Sequence, residues 1–292
     1  FFLKKSYKIN QIVYFGKEMK IKKIRNFSLH YLKIFFILFF RVFLKRSSFQ
    51  TEDLAFKNFM SKFKYINNKF GFIKQPSKNK FDKLLIDSSL TYSDLCDLGK
   101  VYGTDKSPYN EILHRHPYTG FYDLIFASQK KLQINFAEIG ILDNKSINCW
   151  RKYFLKAKIF AFEYDKKMIV NAKKDNLNDV FYNQIDVKNK DSIKLAFKKT
   201  KVVFDIIIDD STHDFEDQIR IIKTAHSFLK KGGILIIEDI PNNNDEFSEL
   251  NFYKRLHPVK NLFSTIKFID CEHINKFSKG WSNDKILFLI KD

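Results

Sequence analysis

The sequence predicts an α/β fold with a doubly wound, mostly parallel sheet of seven strands, preceded by a basic N-terminal extension. From residue 134 onward, strand-like apolar runs alternate with helical patterns. The repeat of about 22–29 residues gives room for a strand, a crossover helix and two short loops. Two of the runs, Ile206-Ile207-Ile208 and Ile234-Leu235-Ile236-Ile237, are uninterrupted, which is typical of strands buried on both faces of a parallel sheet.

The net charge of +19 is unevenly distributed. Residues 1–90 contain 20 Lys and Arg but only 5 Asp and Glu, so they carry +15 of the total. A basic segment of this kind favours anionic surfaces, either membrane or nucleic acid. We therefore divide the chain into a basic extension, 1–90, and a domain, 91–292, and expect short helices or a linker at 51–90. Because the chain begins with Phe1, it is either a fragment or starts at Met19.

The extension contains a candidate amphipathic helix at about 27–46. Its uninterrupted apolar run, Ile34 to Phe40, is far shorter than the ~20 apolar residues of a spanning helix. Lys45-Arg46 follows where a signal peptide would need small residues. The pattern is typical of a helix that lies on an anionic membrane surface. A helix that docks on the domain or on another subunit is the alternative.

The elements of the domain follow in order. Strand candidates start near Ile134, Lys158, Val180, Phe204 and Gly233. The helical patterns between them span 146–157, 166–176, 191–200 and 215–231. Two further strand candidates, 265–272 and 285–292, favour an antiparallel pair at the edge of the sheet.

Acidic residues follow both uninterrupted apolar runs. Asp209 and Asp210 end the first run, Glu238 and Asp239 end the second, and His213 lies three residues after Asp210. Since ligands bind outside the carboxyl ends of parallel strands, we expect these five side chains along one rim of the sheet. Like charges at such a rim repel each other, and a bound divalent metal ion is the simplest way to offset this repulsion.

Residues at the ends of the first three strands indicate a nucleoside-containing ligand. Gly140 allows a ligand to approach the backbone, and the helix that starts near 143–146 offers free N–H groups. A lone glycine lacks the G-x-G-x-x-G pattern and argues against a dinucleotide. Glu163 stands where ribose hydroxyls are bound, and Gln184 and Asp186 where an adenine edge would lie. Each acid by itself is equally consistent with a helix cap or a solvated loop, but their order along successive strands favours a site.

The order E-x-G, acid, Q-x-D, IDD-x-x-H and GG-x-x-x-x-EDI resembles the class I S-adenosylmethionine-dependent methyltransferases. More narrowly, it is similar to the metal-dependent sugar O-methyltransferases of macrolide and polyketide tailoring, of the mycinamicin and tylosin type. A YGTDK segment at 102–106 and a W-x-x-Y-F at 150–154 belong to the same likeness. The resemblance covers roughly 92–292 and implies a Rossmann-like methyltransferase fold.

The resemblance also implies the chemistry. It implies S-adenosyl-L-methionine and Mg²⁺ as cofactors and a sugar-containing acceptor as partner. It implies metal binding by Asp210, Glu238 and Asp239, with Asp210 and His213 catalytic and His213 the general base. A histidine that caps the next helix is the alternative for His213. The residues assigned to cofactor binding are Thr104, Lys106, Glu138, Gly140, Ser146, Glu163, Gln184, Asp186 and Asp209.

Two positions depart from the family pattern. Asn144-Lys145 replaces the usual G-G after the first strand, and Ser211 replaces the glycine of IDDGSH. Asparagine tolerates left-handed backbone geometry better than most residues. Lys145 is expected either to crowd the carboxylate of the cofactor or to pair with it. His114 and His116, upstream, are candidates for the wall of a substrate pocket.

The leading hypothesis is an S-adenosylmethionine-dependent, Mg²⁺-assisted O-methyltransferase that acts on a sugar hydroxyl of a glycan or glycosylated small molecule. We expect it in the cytoplasm, with the N-terminal helix as a candidate contact to the inner face of a membrane. A nucleic-acid-binding or nucleic-acid-modifying protein is the first alternative, and the absence of a recognisable RNA-binding module counts against it. A catalytically degenerate scaffold is the second. A homo-oligomer is left open, and the three cysteines are expected to be buried, reduced thiols.

Overall fold

The computed structural model describes residues 73–74, 83–111, 114–278 and 280–292. The predicted amphipathic helix at about 27–46 lies outside these residues. Within the described part of the chain, no helix is long and apolar enough to cross a membrane.

The described residues form nine strands and seven α-helices, which alternate through most of the domain. The strands are β1 (Ile73–Lys74), β2 (Lys83–Asp87), β3 (Asn135–Ile139), β4 (Lys158–Glu163), β5 (Val180–Gln184), β6 (Phe204–Asp209), β7 (Leu229–Ile240), β8 (Phe263–Glu272) and β9 (Lys285–Lys291). The helices are α1 (Asp94–Tyr102), α2 (Tyr118–Phe126), α3 (Lys145–Tyr153), α4 (Lys166–Ala172), α5 (Lys190–Thr200), α6 (Phe215–Ala225) and α7 (Glu249–Leu256). The predicted alternation from β3 to β7 is confirmed. The fourth predicted helix is too long, because β7 already begins at Leu229.

The described strands form one sheet in the order β1-β2-β8-β9-β7-β6-β3-β4-β5. The five strands from β7 to β5 are mutually parallel, and β9 lies antiparallel between β7 and β8. This confirms the doubly wound, mostly parallel sheet, with two strands more than the seven predicted. The chain winds from β3 out to β5 and then returns to β6 on the other side of β3. The carboxyl ends of β3 and β6 therefore form the topological switch point, where such sheets bind ligands.

The two additional strands lie in the stretch 51–90, where the sequence predicted short helices or a linker. Because β2 pairs in parallel with β8, the sheet includes residues before the predicted domain start, and the β8–β9 pair is antiparallel but not at the edge. The apolar run in β2 is only Leu84 to Ile86, which is too short to predict a strand. The flanking Lys83 is accommodated in the sheet by an ion pair with Asp270 of β8, at 2.7 Å.

The core consists of two apolar layers, one on each face of the sheet. Ile206, Ile207 and Ile208 of β6 are all fully buried. Ile207 belongs to the layer that includes Phe197, whereas its two neighbours belong to the layer that includes Trp150. Each such side chain contributes roughly 1.5–3 kcal/mol of burial free energy. The predicted burial of β6 on both faces is thus confirmed. The three cysteines are also buried and free, as expected: Cys96, Cys149 and Cys271.

Candidate active site

A backbone contact locks the ends of β3 and β6 together at the switch point. The N–H of Asp210 donates a hydrogen bond to the carbonyl oxygen of Ile139 at 2.9 Å. Between them, Gly140 has a φ of +85°, and a Cβ atom there would lie 2.1 Å from the carbonyl oxygen of Asp210. No other residue fits this position. The predicted cofactor turn and the first predicted metal ligand are therefore neighbours.

The turn between β3 and α3 uses an asparagine where the family pattern has glycine. Asn144 has a φ of 66°, which is the left-handed geometry that asparagine tolerates better than most residues. Its buried amide donates hydrogen bonds to the carboxylate of Asp175 at 2.7 Å and to the hydroxyl of Tyr182 at 2.9 Å. The ammonium of Lys145, next in the chain, forms an ion pair with Asp143. The turn is thus held by side-chain contacts that a glycine could not make.

A cavity of about 620 Å³ opens at the carboxyl ends of β3, β4, β5 and β6. The predicted residues that line it are Thr104, Gly140, Ser146, Glu163, Asp186, Asp210 and His213. Apolar and aromatic side chains form much of the remaining wall: Ile141, Leu142, Tyr164, Met168, Ile185 and Val187. An apolar wall with a few polar groups is typical of a site for a small organic molecule.

Glu138, which was predicted to bind the cofactor, lies behind the cavity wall. Its fully buried carboxylate accepts hydrogen bonds from the hydroxyl of Ser146 and the indole N–H of Trp150. Burial is the largest influence and raises the pKa of Glu138 to about 7. The side chain therefore anchors the first two turns of α3 to β3 and shapes the cavity indirectly.

Gln184 and Asp209, also predicted to bind the cofactor, do not line the cavity either. The amide of Gln184 donates to the carbonyl oxygen of Tyr164 at 3.1 Å. The buried carboxylate of Asp209 accepts from the hydroxyl of Ser211 at 2.7 Å, and burial raises its pKa to about 7. Side chains alternate across a strand, so the adjacent Asp209 and Asp210 cannot both face one ligand.

The fourth such residue, Lys106, lies between the acids at the carboxyl ends of β6 and β7. Its ammonium forms ion pairs with the carboxylates of Asp210 and Glu238, and its side chain is only 3% exposed. Burial by itself lowers the pKa of Lys106, but the two negative charges outweigh it and hold the pKa well above its ordinary value. The second carboxylate oxygen of Glu238 accepts a hydrogen bond from Tyr122. Both oxygens of Glu238 are therefore held by protein side chains.

Asp210, His213 and Asp239 form the candidate metal-binding cluster. Their ligand atoms all lie within 4.8 Å of one another. The imidazole of His213 lies between the two carboxylates, with Nε2 3.2 Å from Asp210 and Nδ1 3.3 Å from Asp239. Burial lowers the pKa of His213, but the hydrogen bond to Asp210 and the charge of Asp239 outweigh it and raise the pKa to about 10. Of the three predicted ligands, the structure thus brings Asp210 and Asp239 together with His213, and holds Glu238 on the far side of Lys106.

A second set of side chains, which do not line the cavity, contacts the carboxylate of Asp239. The hydroxyl of Tyr118 donates to one carboxylate oxygen at 2.7 Å, and Nε2 of His116 lies 3.5 Å from the other. The second ring nitrogen of His116 lies 3.0 Å from Asp284. Burial lowers the pKa of His116, but the charge of Asp239 and the bond to Asp284 raise it to about 9. His116 therefore lies between two carboxylates, buried behind the cluster.

Comparison with known proteins supports the same reading of the fold. The family described as a methyltransferase domain matches residues 144–285. The methyltransferase MycE from the mycinamycin biosynthetic pathway, solved with Mg and SAH, gives a TM-score of 0.51 at 19% identity over 69% of this chain and 55% of MycE. A MycE structure that also contains Mycinamycin VI gives a TM-score of 0.51 at 18% identity, over 70% of this chain and 55% of MycE. This chain thus spans little more than half the length of MycE. A search of curated proteins found no match.

Residues 144–285 match a methyltransferase domain. The fold that the resemblance predicted, that of the class I S-adenosylmethionine-dependent methyltransferases, is confirmed by the likeness to MycE. The matched region includes Glu163, Asp210 and His213, but it begins after Gly140. Upstream of the matched region, the YGTDK segment joins the site through the ion pairs of Lys106.

Partial signals in the sequence point to the site residues that the sequence analysis missed. Tyr118 and Tyr122 contact the acids at the end of β7. They lie four residues apart on α2, the spacing that places two side chains on one helix face. Tyr164 directly follows Glu163 on the cavity wall. His116, a candidate for the wall of a substrate pocket, lies against Asp239. The contacts of these residues depend on how α2 packs on the sheet, which a local pattern does not record.

Lys106→Met is expected to destabilise the folded protein by roughly 3–5 kcal/mol, because it leaves Asp210 and Glu238 without their buried cation. Urea unfolding followed by circular dichroism measures the change. Lys100→Met is the matched control, since Lys100 is exposed at the end of α1. Equal stability of the two variants would show that the ion pairs contribute nothing.

Proposed function

We propose that the protein is an S-adenosylmethionine-dependent, Mg²⁺-assisted O-methyltransferase that acts on a sugar hydroxyl of a glycan or glycosylated small molecule. One observation carries the proposal. Asp210 and His213 line the cavity and also belong, with Asp239, to the candidate metal-binding cluster. A methyl donor in the cavity and an acceptor oxygen at the cluster are then immediate neighbours. Fixing two reactants in this way is itself a large part of catalysis.

The donor atoms of the cluster fit Mg²⁺. Asp210 and Asp239 offer carboxylate oxygens, and Mg²⁺ is usually held by one or two carboxylates while it keeps several waters. Glu238 does not fit as a ligand while Lys106 and Tyr122 hold both of its oxygens. When bound there, Mg²⁺ would polarise the acceptor hydroxyl and, by its charge, lower the pKa of His213 into the range where imidazole accepts a proton.

His213 is the base in this proposal. Contacts to Asp210 and Asp239 orient its ring from both nitrogens, and orientation is the first requirement of a general base. His213 and Asp239 both have left-handed backbones, with φ values of 57° and 56°. Such conformations are costly for residues other than glycine and persist at functional sites when the surroundings enforce them. The alternative, a histidine that caps α6, is not supported, because Asp214 is the cap residue.

The sugar acceptor is supported by the resemblance on YGTDK, IDD-x-x-H and ED. A vicinal diol offers two oxygens to one ion, which suits a site with two carboxylate ligands and open positions. A sugar hydroxyl also holds its proton far more tightly than a phenol, so its methylation benefits from both an ion and a base.

Removal of divalent metal tests the proposal. We expect methyl transfer from S-adenosylmethionine to methyl glycosides to fall at least about 100-fold after treatment with EDTA, and to return when Mg²⁺ is added. The measurement is incorporation of radiolabelled methyl groups, with calorimetric titration of S-adenosylmethionine alongside. Full activity in EDTA would exclude the metal. Methylation of phenols but of no glycoside would exclude the sugar, and an absence of binding at millimolar S-adenosylmethionine would favour the scaffold.

A further inference from the structure

We propose that the acceptor sugar stacks on Trp281, in the loop that joins β8 to β9, and hydrogen-bonds to Asn242 and Asn283 beside it. The inference rests on the proposed function and adds the acceptor subsite to it. It is independent of how the metal is held, because none of these three residues belongs to the candidate metal-binding cluster.

Hydrogen bonds connect the loop of Trp281 to Asp239, a member of the candidate metal-binding cluster. The hydroxyl of Tyr118 contacts both the carboxylate of Asp239, at 2.7 Å, and the backbone carbonyl oxygen of Asn283, at 3.1 Å. The backbone N–H of Asn242, two residues after β7 ends, donates a hydrogen bond to the carbonyl oxygen of Ser282 at 2.7 Å. Trp281 directly precedes Ser282, whose partner Asn242 lies three residues after Asp239. The loop and the end of β7 that carries Asp239 are therefore hydrogen-bonded neighbours.

The side from which the acceptor arrives follows from the cavity. Asp210 and His213 line the cavity, but Asp239 does not. Asp239 instead contacts Tyr118 and His116, which lead to Asn283 and Asp284 of the loop. An acceptor oxygen at the cluster faces the methyl donor on the cavity side. Because Tyr118 and His116 are themselves buried, the rest of the acceptor extends away from the cavity over the outer surface of the loop rather than between these side chains.

Trp281 presents a surface that suits a sugar ring. Its side chain is 64% exposed, whereas Trp150, the other tryptophan of the chain, is buried. A flat aromatic ring offers a large apolar face to the C–H groups of a pyranose. Phe277 of the same loop is also exposed, and the guanidinium of Arg115 lies 5.4 Å from its ring centre. A single exposed aromatic side chain is common on protein surfaces, so a second observation decides the assignment.

That observation is a concentration of buried polar atoms without partners. Among the described residues, eight buried side-chain nitrogen or oxygen atoms have no hydrogen-bond partner. Five of the eight lie on this loop or beside it. Three are on the loop itself: Asn275 Oδ1, Ser278 Oγ and Asn283 Oδ1. The other two are Asn242 Oδ1, just after β7, and Nε of Arg115, whose backbone pairs with Phe277 of the loop. Buried polar atoms are normally paired, and Asn283 is only 5% exposed. A ligand rich in hydroxyl groups supplies the donors that these oxygens accept.

The chain provides its own probe of the subsite. Because Trp150 is buried, acrylamide quenches mainly the fluorescence of Trp281. We expect methyl glycosides of hexoses and 6-deoxyhexoses, added with Mg²⁺ and S-adenosylhomocysteine, to protect this fluorescence from acrylamide. The protection disappears in Trp281→Phe, which retains only the emission of Trp150. Unchanged quenching at glycoside concentrations that saturate methyl transfer would overturn the subsite.

Kinetics separate the subsite from the proposed function. Trp281→Ala is expected to raise KM for a methylated glycoside about tenfold and to change kcat less than about twofold, while Trp281→Phe retains most of the affinity. Leu195→Ala, at an exposed position of α5, is the control and leaves both constants unchanged. Asn242→Ala raises KM in the same direction as Trp281→Ala. Unchanged kinetics in Trp281→Ala would overturn the subsite and leave the proposed function standing. Methyl transfer to non-sugar acceptors alone would overturn both.

Discussion

Asp210→Asn lowers kcat for methyl transfer at least about 1,000-fold and changes the affinity for S-adenosylmethionine less than about tenfold. The substitution keeps the shape of the side chain but removes a negative charge. That charge serves as an oxygen ligand of the cluster, as a partner of His213 and as a partner of Lys106. Burial by itself raises the pKa of Asp210, but the charges of Lys106 and His213 outweigh it and hold the pKa well below its ordinary value. The protein therefore maintains a charged group at a position where the proposed reaction requires one.

Asp205→Asn is the matched control for this substitution. Asp205 lies on the same strand, β6, at the opposite end, where it pairs with Lys230 at 2.7 Å. Its replacement leaves methyl transfer unchanged. Kinetics of methyl transfer and calorimetric titration of the cofactor are measured on both variants. Wild-type kcat in Asp210→Asn would remove this carboxylate from the catalytic machinery.

Gly140→Ala is the second substitution with a large expected effect, and it acts through the backbone. An added Cβ would lie 2.1 Å from the carbonyl oxygen of Asp210. The alanine would also have to adopt a φ of +85°. Since the obstacle is backbone rather than a movable side chain, the ends of β3 and β6 must separate. We expect a loss of more than ~3 kcal/mol of folding free energy and of detectable cofactor binding. Urea unfolding and calorimetric titration measure the two effects.

Gly232→Ala distinguishes steric overlap from backbone strain alone. Gly232 has a φ of +72°, close to that of Gly140, but an added Cβ there would meet nothing within 4 Å. It therefore bears only the cost of a left-handed alanine, about 1–2 kcal/mol. Similar losses in the two variants would mean that the contact with Asp210 is unimportant.

The strand–helix alternation was predictable because it follows from the local pattern of apolar and polar residues. Runs such as Ile206-Ile207-Ile208 are apolar at every position, and only a strand covered on both faces buries them all. The strand β2 was not predictable, because three apolar residues between charged ones form a strand only when β8 is already there to pair with. Its Lys83 gains a partner, Asp270, that is distant in sequence.

The candidate site was predictable to the level of strand ends. Acids at the carboxyl ends of β6 and β7 must lie at one rim, since parallel strands share the direction of their carboxyl ends. Which oxygens face each other was not predictable. Glu238 and Asp239 are adjacent in sequence, yet the first pairs with Lys106 and the second with His213.

The sequence by itself determined the wound sheet, the glycine turn and the rim of acids, because burial and strand direction follow from local apolar periodicity. Only the tertiary structure decided the partners of those acids. Lys106 and Tyr118 come from an upstream segment whose contacts depend on packing across more than 100 residues of chain, and no local pattern encodes such pairings. The loop of Trp281 meets the site for the same reason: the order of the strands, with β9 beside β7, brings it to the end of β7 that carries Asp239.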